Sequence, residues 1–432
     1  MLAAMVLGIV TGLIFLGIRE KIGADSTAWV TINKFLFQDI TAAGAESALG
    51  LFYLCGQLFI RALQLIIVPM VFSSVVMAIG EIREAATLGR VSAKTIGWFM
   101  LTSCVALVFA GAIALFCFNA GLFNVTIEGL AGSEGSTGSN PLQVILNIIP
   151  ANVGAVFSVN NSVLSIVFIA VVVGLGLNTL GISKESTIYR LCEEISKIIV
   201  VFLNFVVNKF GPVAIFMLLS RTFATYGIDY LKPALAYFVL VAVLLLGYLL
   251  IGYPLYVAVF ARQNPFTFMK KIFKVMIFGF STSSSAATLP LNIDTTTEEL
   301  GVDKQIASFV LPLGMTINMD GTAIMQVVAT LFIAGCGGYD VTVFQLVVIM
   351  VLALIASMGT PAAPGAGAVI LFTILSGVGF TGEQALIAYS LILAINRPIE
   401  MLVTSLNVTG DAVTSIMVAK SEGRFTEDIF NK

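Results

Sequence analysis

The segment 318–322 reads Asn-Met-Asp-Gly-Thr and lies inside an apolar run at 306–334. A charged side chain at the centre of a membrane span costs about 3 kcal/mol or more, so such residues pair, bind ions or line a pathway. The asparagine, aspartate and threonine offer side-chain oxygens, and the glycine lets the backbone leave helical geometry. Oxygen clusters of this kind suit hard cations such as Na⁺. Taken alone, a buried aspartate that hydrogen-bonds a neighbouring helix explains the segment equally well.

Composition defines the class of protein. The 432 residues are 58% hydrophobic and 11% charged, whereas soluble domains carry about 25% charged residues. Charge-free runs of about 20 residues or more recur, as in polytopic helical membrane proteins. The net charge of −2 argues against a nucleic-acid partner, which needs a concentrated basic face. The chain has no histidine, which excludes imidazole relays, Ser-His catalysis and imidazole metal sites.

Apolar runs along the chain predict the membrane spans. The first six are expected at 2–18, 49–80, 95–122, 141–181, 198–220 and 233–260. The first run has the length of a signal peptide but no convincing cleavage pattern, so we interpret it as a span. Most basic residues follow the second, fourth, sixth and last spans, which predicts that these segments and both termini are cytoplasmic. The loop 123–140 holds no Lys or Arg and is expected outside the cell.

Two later runs are too polar or too broken to be simple spans. Residues 281–290 carry six hydroxyl side chains within a charge-free run at 275–293. Residues 357–367 hold two prolines and three glycines in the middle of a 42-residue run without charge. Irregular backbone at membrane depth survives only when it is buried in protein or faces a watery cavity. Both stretches therefore predict re-entrant helical hairpins whose tips meet near the middle of the membrane.

The last predicted span, 385–418, carries a polar stripe. Asn396, Glu400, Thr404, Asn407 and Asp411 recur at spacings of three or four residues, so they share one face of a helix. Such a face avoids lipid and lies against protein or water. A stripe that only holds spans together remains an alternative.

Four motifs carry a resemblance to a known family. They are Ser-Ser-Ser-x-x-Thr-Leu-Pro at 283–290, Asn-Met-Asp-Gly-Thr at 318–322, Gly-Thr-x-x-x-Pro-Gly-Ala-Gly at 359–367 and Asn-Val-Thr-Gly-Asp at 407–411. In this order and spacing the chain resembles the dicarboxylate/amino acid:cation symporters, which include glutamate transporters and neutral amino acid exchangers.

The resemblance implies an all-α polytopic fold of eight spans and two re-entrant hairpins, a homotrimer in the plasma (inner) membrane, and an elevator mechanism within the lipid bilayer. Residues 1–93 would be scaffold, and 94–140 would be span 3 and an extracellular loop of the transport domain. Residues 141–262 would hold spans 4–6, with scaffold and trimer contacts and with span 6 in the transport domain. Residues 263–432 would form the transport core.

The resemblance also implies three sodium sites and no organic cofactor. The first site would be formed by Gly314, Asn318, Asn407 and Asp411. The second would be formed by Thr316 and the hairpin residues Ser357, Met358 and Thr360. The third would be formed by Asp320 and Asn318 with Thr102 and Ser103, beside Phe99 at the aromatic position.

An amino acid is the small-molecule substrate that the resemblance implies. Its contacts would be Ser284, Thr322, Ala363, Gly367, Glu400, Val403, Thr404 and Asn407. Members that carry acidic substrates have an arginine where this chain has Val403, and a buried carboxylate without a partner costs several kcal/mol. We therefore expect a neutral amino acid, with Val403 lining an apolar pocket.

Other departures bear on the same site. Glu400 replaces an aspartate of the family and reaches one methylene further. Pro361 and Ala362 stand where Ala-Gly is common, which is expected to stiffen the gate. Gln326 replaces a glutamate of members that countertransport K⁺, so no K⁺ dependence is expected. Arg397 is interpreted as a structural partner of Glu400.

Three alternatives follow from the sequence. In the first, Arg397 supplies the missing cation for an acidic amino acid or dicarboxylate, driven by Na⁺ or H⁺. In the second, the protein is a channel, although no repeated selectivity filter is present. In the third, Asp340 and Asp411 form the aspartate pair of an intramembrane protease, which leaves the hydroxyl-rich segments unexplained. We prefer the interpretation that the protein is a transporter, and we expect no enzymatic activity.

Overall fold

The computed structural model describes residues 2–42, 44–87, 90–124, 149–158, 163–182, 185–227, 231–358, 360 and 365–432. Ala363, one of the predicted substrate contacts, lies outside these residues, as do Pro361, Ala362 and most of the predicted loop 123–140.

Helices form almost all of the described chain. The first part holds α1 (Leu2–Ile22), α2 (Thr27–Leu36), α3 (Leu51–Leu65), α4 (Ile67–Thr87), α5 (Arg90–Asn119), α6 (Val153–Phe157), α7 (Val163–Leu180), α8 (Thr187–Phe205), α9 (Gly211–Tyr226), α10 (Leu231–Gly247) and α11 (Tyr253–Val259). The second part holds α12 (Pro265–Thr282), α13 (Ser285–Glu298), α14 (Lys304–Ile317), α15 (Asp320–Gly337), α16 (Val343–Met358), α17 (Ala366–Val378), α18 (Glu383–Ile395), α19 (Arg397–Ser421) and α20 (Glu427–Asn431). The all-α prediction is confirmed.

Two π-helical turns interrupt the helices of the first part. Val206–Phe210 joins α8 to α9, and Tyr248–Gly252 joins α10 to α11. A proline follows each turn at the start of the next helix, at Pro212 and Pro254, where its missing N–H is tolerated. The predicted fifth span at 198–220 thus differs from the structure, since the helix runs without a loop from α8 through α9.

The second part consists of interrupted helices. Helices α12 and α13 pack on each other around a turn at Ser283, whose φ is 49°, and Ser284 caps α13 by accepting a hydrogen bond from the amide of Ala287 at 3.3 Å. Helices α16 and α17 also pack on each other. The predicted last span, 385–418, is two helices, because α18 ends at Asn396 and α19 begins at Arg397, with Pro398 in its first turn.

Helix α15 occupies the centre of the molecule. All 18 of its residues are buried, and α5, α10, α16, α18 and α19 pack around it. A helix that is buried on every side belongs to a protein core. Helices α1, α3 and α9 pack together further out, as do α4, α7 and α8.

Five stretches of the described chain are long and apolar enough to cross a membrane. They are Leu51–Met77, Arg90–Asn119, Lys232–Val259, Lys304–Gly337 and Arg397–Ser421. Shorter apolar helices lie between them. The number of eight spans, the orientation of the termini and the domain boundaries stay predictions.

The end of α19 is tied to the start of α5. The carboxylate of Glu422 accepts hydrogen bonds from Arg90 at 2.8 Å and forms an ion pair with Lys94 at 2.6 Å. An isolated antiparallel bridge then pairs Phe425 with Val302, which follows α13. This end of the core is therefore closed by side-chain and backbone bonds from three parts of the chain.

Glu422→Gln is expected to lower thermal stability at neutral pH, with a difference from wild type that narrows in acid. Hydrogen bonds from Arg90 and Lys94 hold the pKa of Glu422 at about 2, below its usual 4.5. The ionised form therefore stabilises the fold above about pH 4.5, and this contribution is lost as the pH falls towards about 2. Melting temperatures measured between pH 7 and pH 3 test this. Glu193→Gln is the control because its i,i+4 pair with Lys197 is exposed and worth little. A difference that stays constant with pH would contradict the prediction.

Candidate functional site

Asp320, the first residue of α15, is fully buried and held by two hydroxyl groups. Ser103 of α5 donates a hydrogen bond to one carboxylate oxygen. Tyr253, which follows the second π-helical turn, donates to the other at 2.9 Å. The carboxylate is thus fixed between α5 and α11 by neutral donors.

Asn318 links a second buried carboxylate to α5. Its Nδ2 donates to Oδ1 of Asp411 at 3.0 Å, and its Oδ1 accepts from the hydroxyl of Thr102 at 3.4 Å. The hydroxyl of Tyr248 donates to the backbone carbonyl of Thr102 at 2.8 Å. Phe99, also fully buried, has its ring close to Gly314, which faces Asp411. The first and third predicted sodium sites therefore share one continuous set of contacts.

Asp320 and Asp411 are buried carboxyl groups without a matching cation. They are 0% and 2% exposed, and no ion pair joins either of them to Lys or Arg within the described residues. An isolated buried charge costs far more than a buried amide or hydroxyl. Since the surrounding groups are neutral hydroxyls and an amide, whose oxygens can bind a hard cation, the site suits such a cation.

Two close approaches around Asp411 leave no room for a side chain. A Cβ at Gly314 would overlap Oδ1 of Asp411 and lie 3.0 Å from the ring of Phe99. A Cβ at Gly410 would overlap the hydroxyl of Tyr253 and lie 2.9 Å from Nδ2 of Asn318. Both glycines let α14 and α19 approach closely enough for the buried carboxylate to meet its partners.

Gly314→Ala is expected to destabilise the protein by about 1–3 kcal/mol, because added bulk in a packed core shifts its neighbours. The shift should displace Asp411 and weaken any stabilisation by Na⁺ at least tenfold in midpoint concentration. Melting temperature against NaCl concentration measures both effects. Gly97→Ala is the control, since a Cβ there meets no atom within 4 Å in the described structure. A variant at Gly314 that responds to Na⁺ as wild type does would contradict this packing argument.

Asn407 joins the ion residues to the predicted substrate residues. Its Oδ1 accepts from the amide of Gly321 at 2.8 Å, and its Nδ2 donates to the hydroxyl of Thr322 at 3.2 Å. The same Nδ2 lies 3.3 Å from the sulfur of Met319. Val403, 6% exposed, borders this group through its backbone, which faces Gly321.

Glu400 is buried against the start of α17. The backbone of Ala368 lies close to its carboxylate, and Arg397 approaches the same group at 3.5 Å, a long distance for an ion pair. The hydroxyl of Thr404 donates to the carbonyl of Glu400 at 3.0 Å. Next along α17, the carbonyl of Gly367 accepts from Nε2 of Gln326 at 3.2 Å. The structure thus brings Glu400 to the start of α17, where Gly367 lies beside Thr322.

The remaining predicted residues lie at helix ends. Thr316 donates to the carbonyl of Leu313 at 3.0 Å, Ser357 to that of Leu354 at 2.9 Å, and Thr360 to that of Ala356 at 2.9 Å. Met358 is the last residue of α16, which packs against α14. These hydroxyl groups donate hydrogen bonds within their own segments. The second predicted sodium site would therefore depend mostly on backbone carbonyls near these residues. Ser284 likewise caps its own hairpin arm.

Sequence reasoning missed the tyrosines at this centre. The predicted span 233–260 includes Tyr248 and Tyr253 without a role at the site, yet both hydroxyls reach the predicted ion residues. A buried tyrosine hydroxyl normally finds a partner. Three tyrosines within nine residues of a charge-free span, at 248, 253 and 256, were the available signal.

The proposed protease pair is not assembled. Asp340 is exposed just beyond the last turn of α15, whereas Asp411 contacts Asn318 beside its first turn. Eighteen helical residues separate the two ends by about 27 Å. Helices that break around a buried anionic centre in a multi-span protein are instead the organisation of a secondary transporter.

Comparison with known proteins agrees with this class. The chain belongs to the sodium:dicarboxylate symporter family, whose model matches residues 1–421. It is 29% identical to the proton/glutamate-aspartate symporter of Escherichia coli K12 over 98% of this chain and 92% of the relative. It is 30% identical to the human neutral amino acid transporter B(0) over 90% of this chain and 78% of the relative. It is also 28% identical to the proton/sodium-glutamate symport protein of Bacillus caldotenax, over 86% of this chain and 88% of the relative.

The protein is therefore a multi-pass membrane transporter, a cation-coupled symporter of amino acids or dicarboxylates, and not an enzyme.

Proposed function

We propose that the protein is a Na⁺-coupled secondary symporter of a neutral amino acid. The observation that carries the choice of Na⁺ is the burial of Asp320 and Asp411 among neutral oxygen and amide groups, with no Lys or Arg partner in the described part of the chain. A monovalent hard cation would balance these charges without requiring histidine or thiolate ligands.

The choice of substrate rests on Val403. Its side chain is buried and apolar, at the position where acidic-substrate members of the family have arginine. A substrate carboxylate placed there would lose hydration without gaining a cation. Glu400 supplies a negative charge for an α-ammonium group, and the amide-bearing start of α17 is suited to an α-carboxylate.

Asn407 would couple the binding of the cation to the binding of the substrate. It bonds Gly321 and Thr322 on one side, and it belongs to the same α19 face as Asp411. Cation binding at Asp411 would hold this face of α19 in place. The side chain of Asn407, which contacts Gly321 and Thr322, would then be held in place as well. The α16–α17 hairpin would then close over an occupied site, and the core 263–432 would move against a trimeric scaffold as an elevator. The same proposal places the protein in the inner membrane, with both termini in the cytoplasm.

The test is the thermal stability of the purified full chain with candidate substrates in NaCl or choline chloride. A ligand that binds only the folded state stabilises it by about 2.7 kcal/mol at a hundred times its Kd. Stabilisation by serine, alanine, threonine or a larger neutral amino acid, present only with Na⁺, is the expected result. Equal melting temperatures in both salts, at every pH tested, would refute Na⁺ coupling. A pH-dependent response without Na⁺ would assign the coupling to H⁺.

A second candidate is an acidic amino acid or dicarboxylate symporter that uses Arg397. Its support is the long 3.5 Å approach to Glu400 and a side chain that is 27% exposed, so the guanidinium is only loosely held. Stabilisation by aspartate, glutamate or succinate that Arg397→Gln removes would establish this function in place of the first.

A further inference from the structure

Tyr237 on α10 is fully buried, and its hydroxyl bonds a residue one helical turn before Glu400. The hydroxyl donates to Oδ1 of Asn396 at 2.7 Å, and Asn396 is itself 1% exposed. The ring of Tyr237 packs against that of Phe332 on α15, with the ring centres 5.1 Å apart. A buried tyrosine hydroxyl normally has a partner, so this bond by itself indicates no function.

The side-chain amide of Asn396 also lies close to the carboxylate of Glu400. The backbone favours this proximity, because the N–H of Glu400 donates to the carbonyl of Asn396 at 2.9 Å. Oδ1 of Asn396 is occupied by Tyr237, whereas its Nδ2 is buried and makes no hydrogen bond of normal geometry within the described residues. A buried donor without a partner is costly. The carboxylate of Glu400 is the neighbouring acceptor for this Nδ2.

The ion pair of Glu400 holds its carboxylate only loosely. Arg397 approaches it at 3.5 Å, and the arginine side chain is 27% exposed. A glutamate side chain has several rotatable bonds, and ordering it in one conformation costs rotamer freedom. A donor fixed beside the carboxylate limits that freedom, and a hydrogen bond to a charged group is stronger than one between neutral groups. Asn396 is placed to be this donor.

We propose that Tyr237 is a positioning residue for the substrate: its hydroxyl orients the amide of Asn396, and that amide holds the carboxylate of Glu400 where the α-ammonium group of the substrate binds. Of the two ends of the amide only Oδ1 accepts a hydrogen bond, so the tyrosine O–H determines which end faces Glu400. An amide turned the other way would present an oxygen to the carboxylate, and the two acceptors would repel each other. This role of Tyr237 rests on the proposed binding of the ammonium group by Glu400. It does not depend on the choice between a neutral and an acidic amino acid, since both have an α-ammonium group.

Tyr237→Phe tests this role, because it removes the hydroxyl and keeps the ring that packs against Phe332. Melting temperatures of the purified full chain are measured against serine, leucine or aspartate in NaCl, and against NaCl alone. For an amino acid that stabilises wild type, the midpoint concentration should rise about tenfold or more in Tyr237→Phe. The NaCl midpoint without amino acid should stay at the wild-type value, whereas a general loosening of the core would raise both midpoints.

Two further variants separate positioning from packing. Asn396→Leu should weaken amino acid binding about as much as Tyr237→Phe does, and the double variant should be no weaker, because the hydroxyl acts only through the amide. Tyr339→Phe is the matched control: it also loses a tyrosine hydroxyl, one that accepts from the amide of Gly382 at 2.8 Å beyond the far end of α15. Its midpoint for the amino acid should equal that of wild type.

The role of Tyr237 is overturned if Tyr237→Phe keeps the wild-type midpoint for the amino acid or raises the NaCl midpoint equally. It is also overturned if the effects of Tyr237→Phe and Asn396→Leu add, or if Tyr339→Phe weakens binding as much. Serine or leucine that stabilises wild type and Tyr237→Phe alike would refute this role and leave the proposed function intact. Stabilisation by aspartate alone, weakened in Tyr237→Phe, would support the role and refute the neutral substrate. A wild-type chain that none of the three stabilises would overturn both.

Discussion

Asp411→Asn is expected to abolish Na⁺-driven uptake and, in Na⁺-free buffer, to make the protein more stable than wild type. The two effects have one cause. Asp411 is buried and accepts a hydrogen bond from Asn318 at 3.0 Å, but it has no Lys or Arg partner among the residues described. An asparagine keeps an acceptor oxygen for that bond and removes the uncompensated charge. The cation that would balance the carboxylate then loses its main attraction.

The expected loss of Na⁺ affinity is large. Removing one partner of a buried charge pair costs about 2–5 kcal/mol, which corresponds to roughly 30-fold to several thousand-fold weaker binding. Melting curves in NaCl and choline chloride, together with uptake into proteoliposomes under a Na⁺ gradient, measure both effects. Asp340→Asn is the matched control, because Asp340 is exposed at the far end of α15. Persistent Na⁺ stabilisation in Asp411→Asn would exclude this carboxylate from ion binding.

Local patterns were sufficient to predict the parts of the core that depend on local rules. A hydroxyl cluster and a proline–glycine cluster predicted where helices break, and the structure has those breaks at Ser283 and at the end of α16. The glycine of the polar segment 318–322 predicted irregular backbone there, and α14 ends before Asn318. Helical spacing placed Asn407 and Asp411 on one face, and both face α14 and α15. Their roles in binding Na⁺ and substrate stay predictions.

Contacts across the chain could not be predicted in this way. Ser103 reaches Asp320 over 217 positions, and Tyr253 reaches it from a different helix. Such pairs depend on how helices pack, which the periodicity of one helix does not specify. Asn396 shows the same limit: it was assigned to the polar stripe, but it ends α18 and accepts a hydrogen bond from Tyr237 at 2.7 Å. The next helix begins at Arg397, and Pro398 lies in its first turn, where its missing N–H is tolerated.

Val403→Arg is expected to convert the substrate preference from neutral to acidic. Val403 lies on α19 one turn from Glu400 and borders Gly321. An arginine there would direct a guanidinium into the region of Thr322 and Asn407, where a side-chain carboxylate of the substrate would lie. Hydrogen bonds to charged groups are worth about 1.5–3 kcal/mol, so aspartate or glutamate should gain roughly 10-fold to 150-fold in affinity. Neutral amino acids should lose affinity, because the new charge would be buried without a partner.

Competition between labelled neutral substrate and aspartate, in wild type and in Val403→Arg, measures this exchange. Leu402→Arg is the matched control: it adds the same charge to the same helix, but about 100° around the axis, so it should not create acidic-substrate binding. Arg397→Gln is the third variant. If Arg397 only supports Glu400, this substitution should leave the affinity for a neutral substrate within a few-fold of the wild-type value. A wild-type protein that already binds aspartate, and loses that binding in Arg397→Gln, would reverse the assignment. The guanidinium beside Glu400, and not the missing one at position 403, would then determine the substrate.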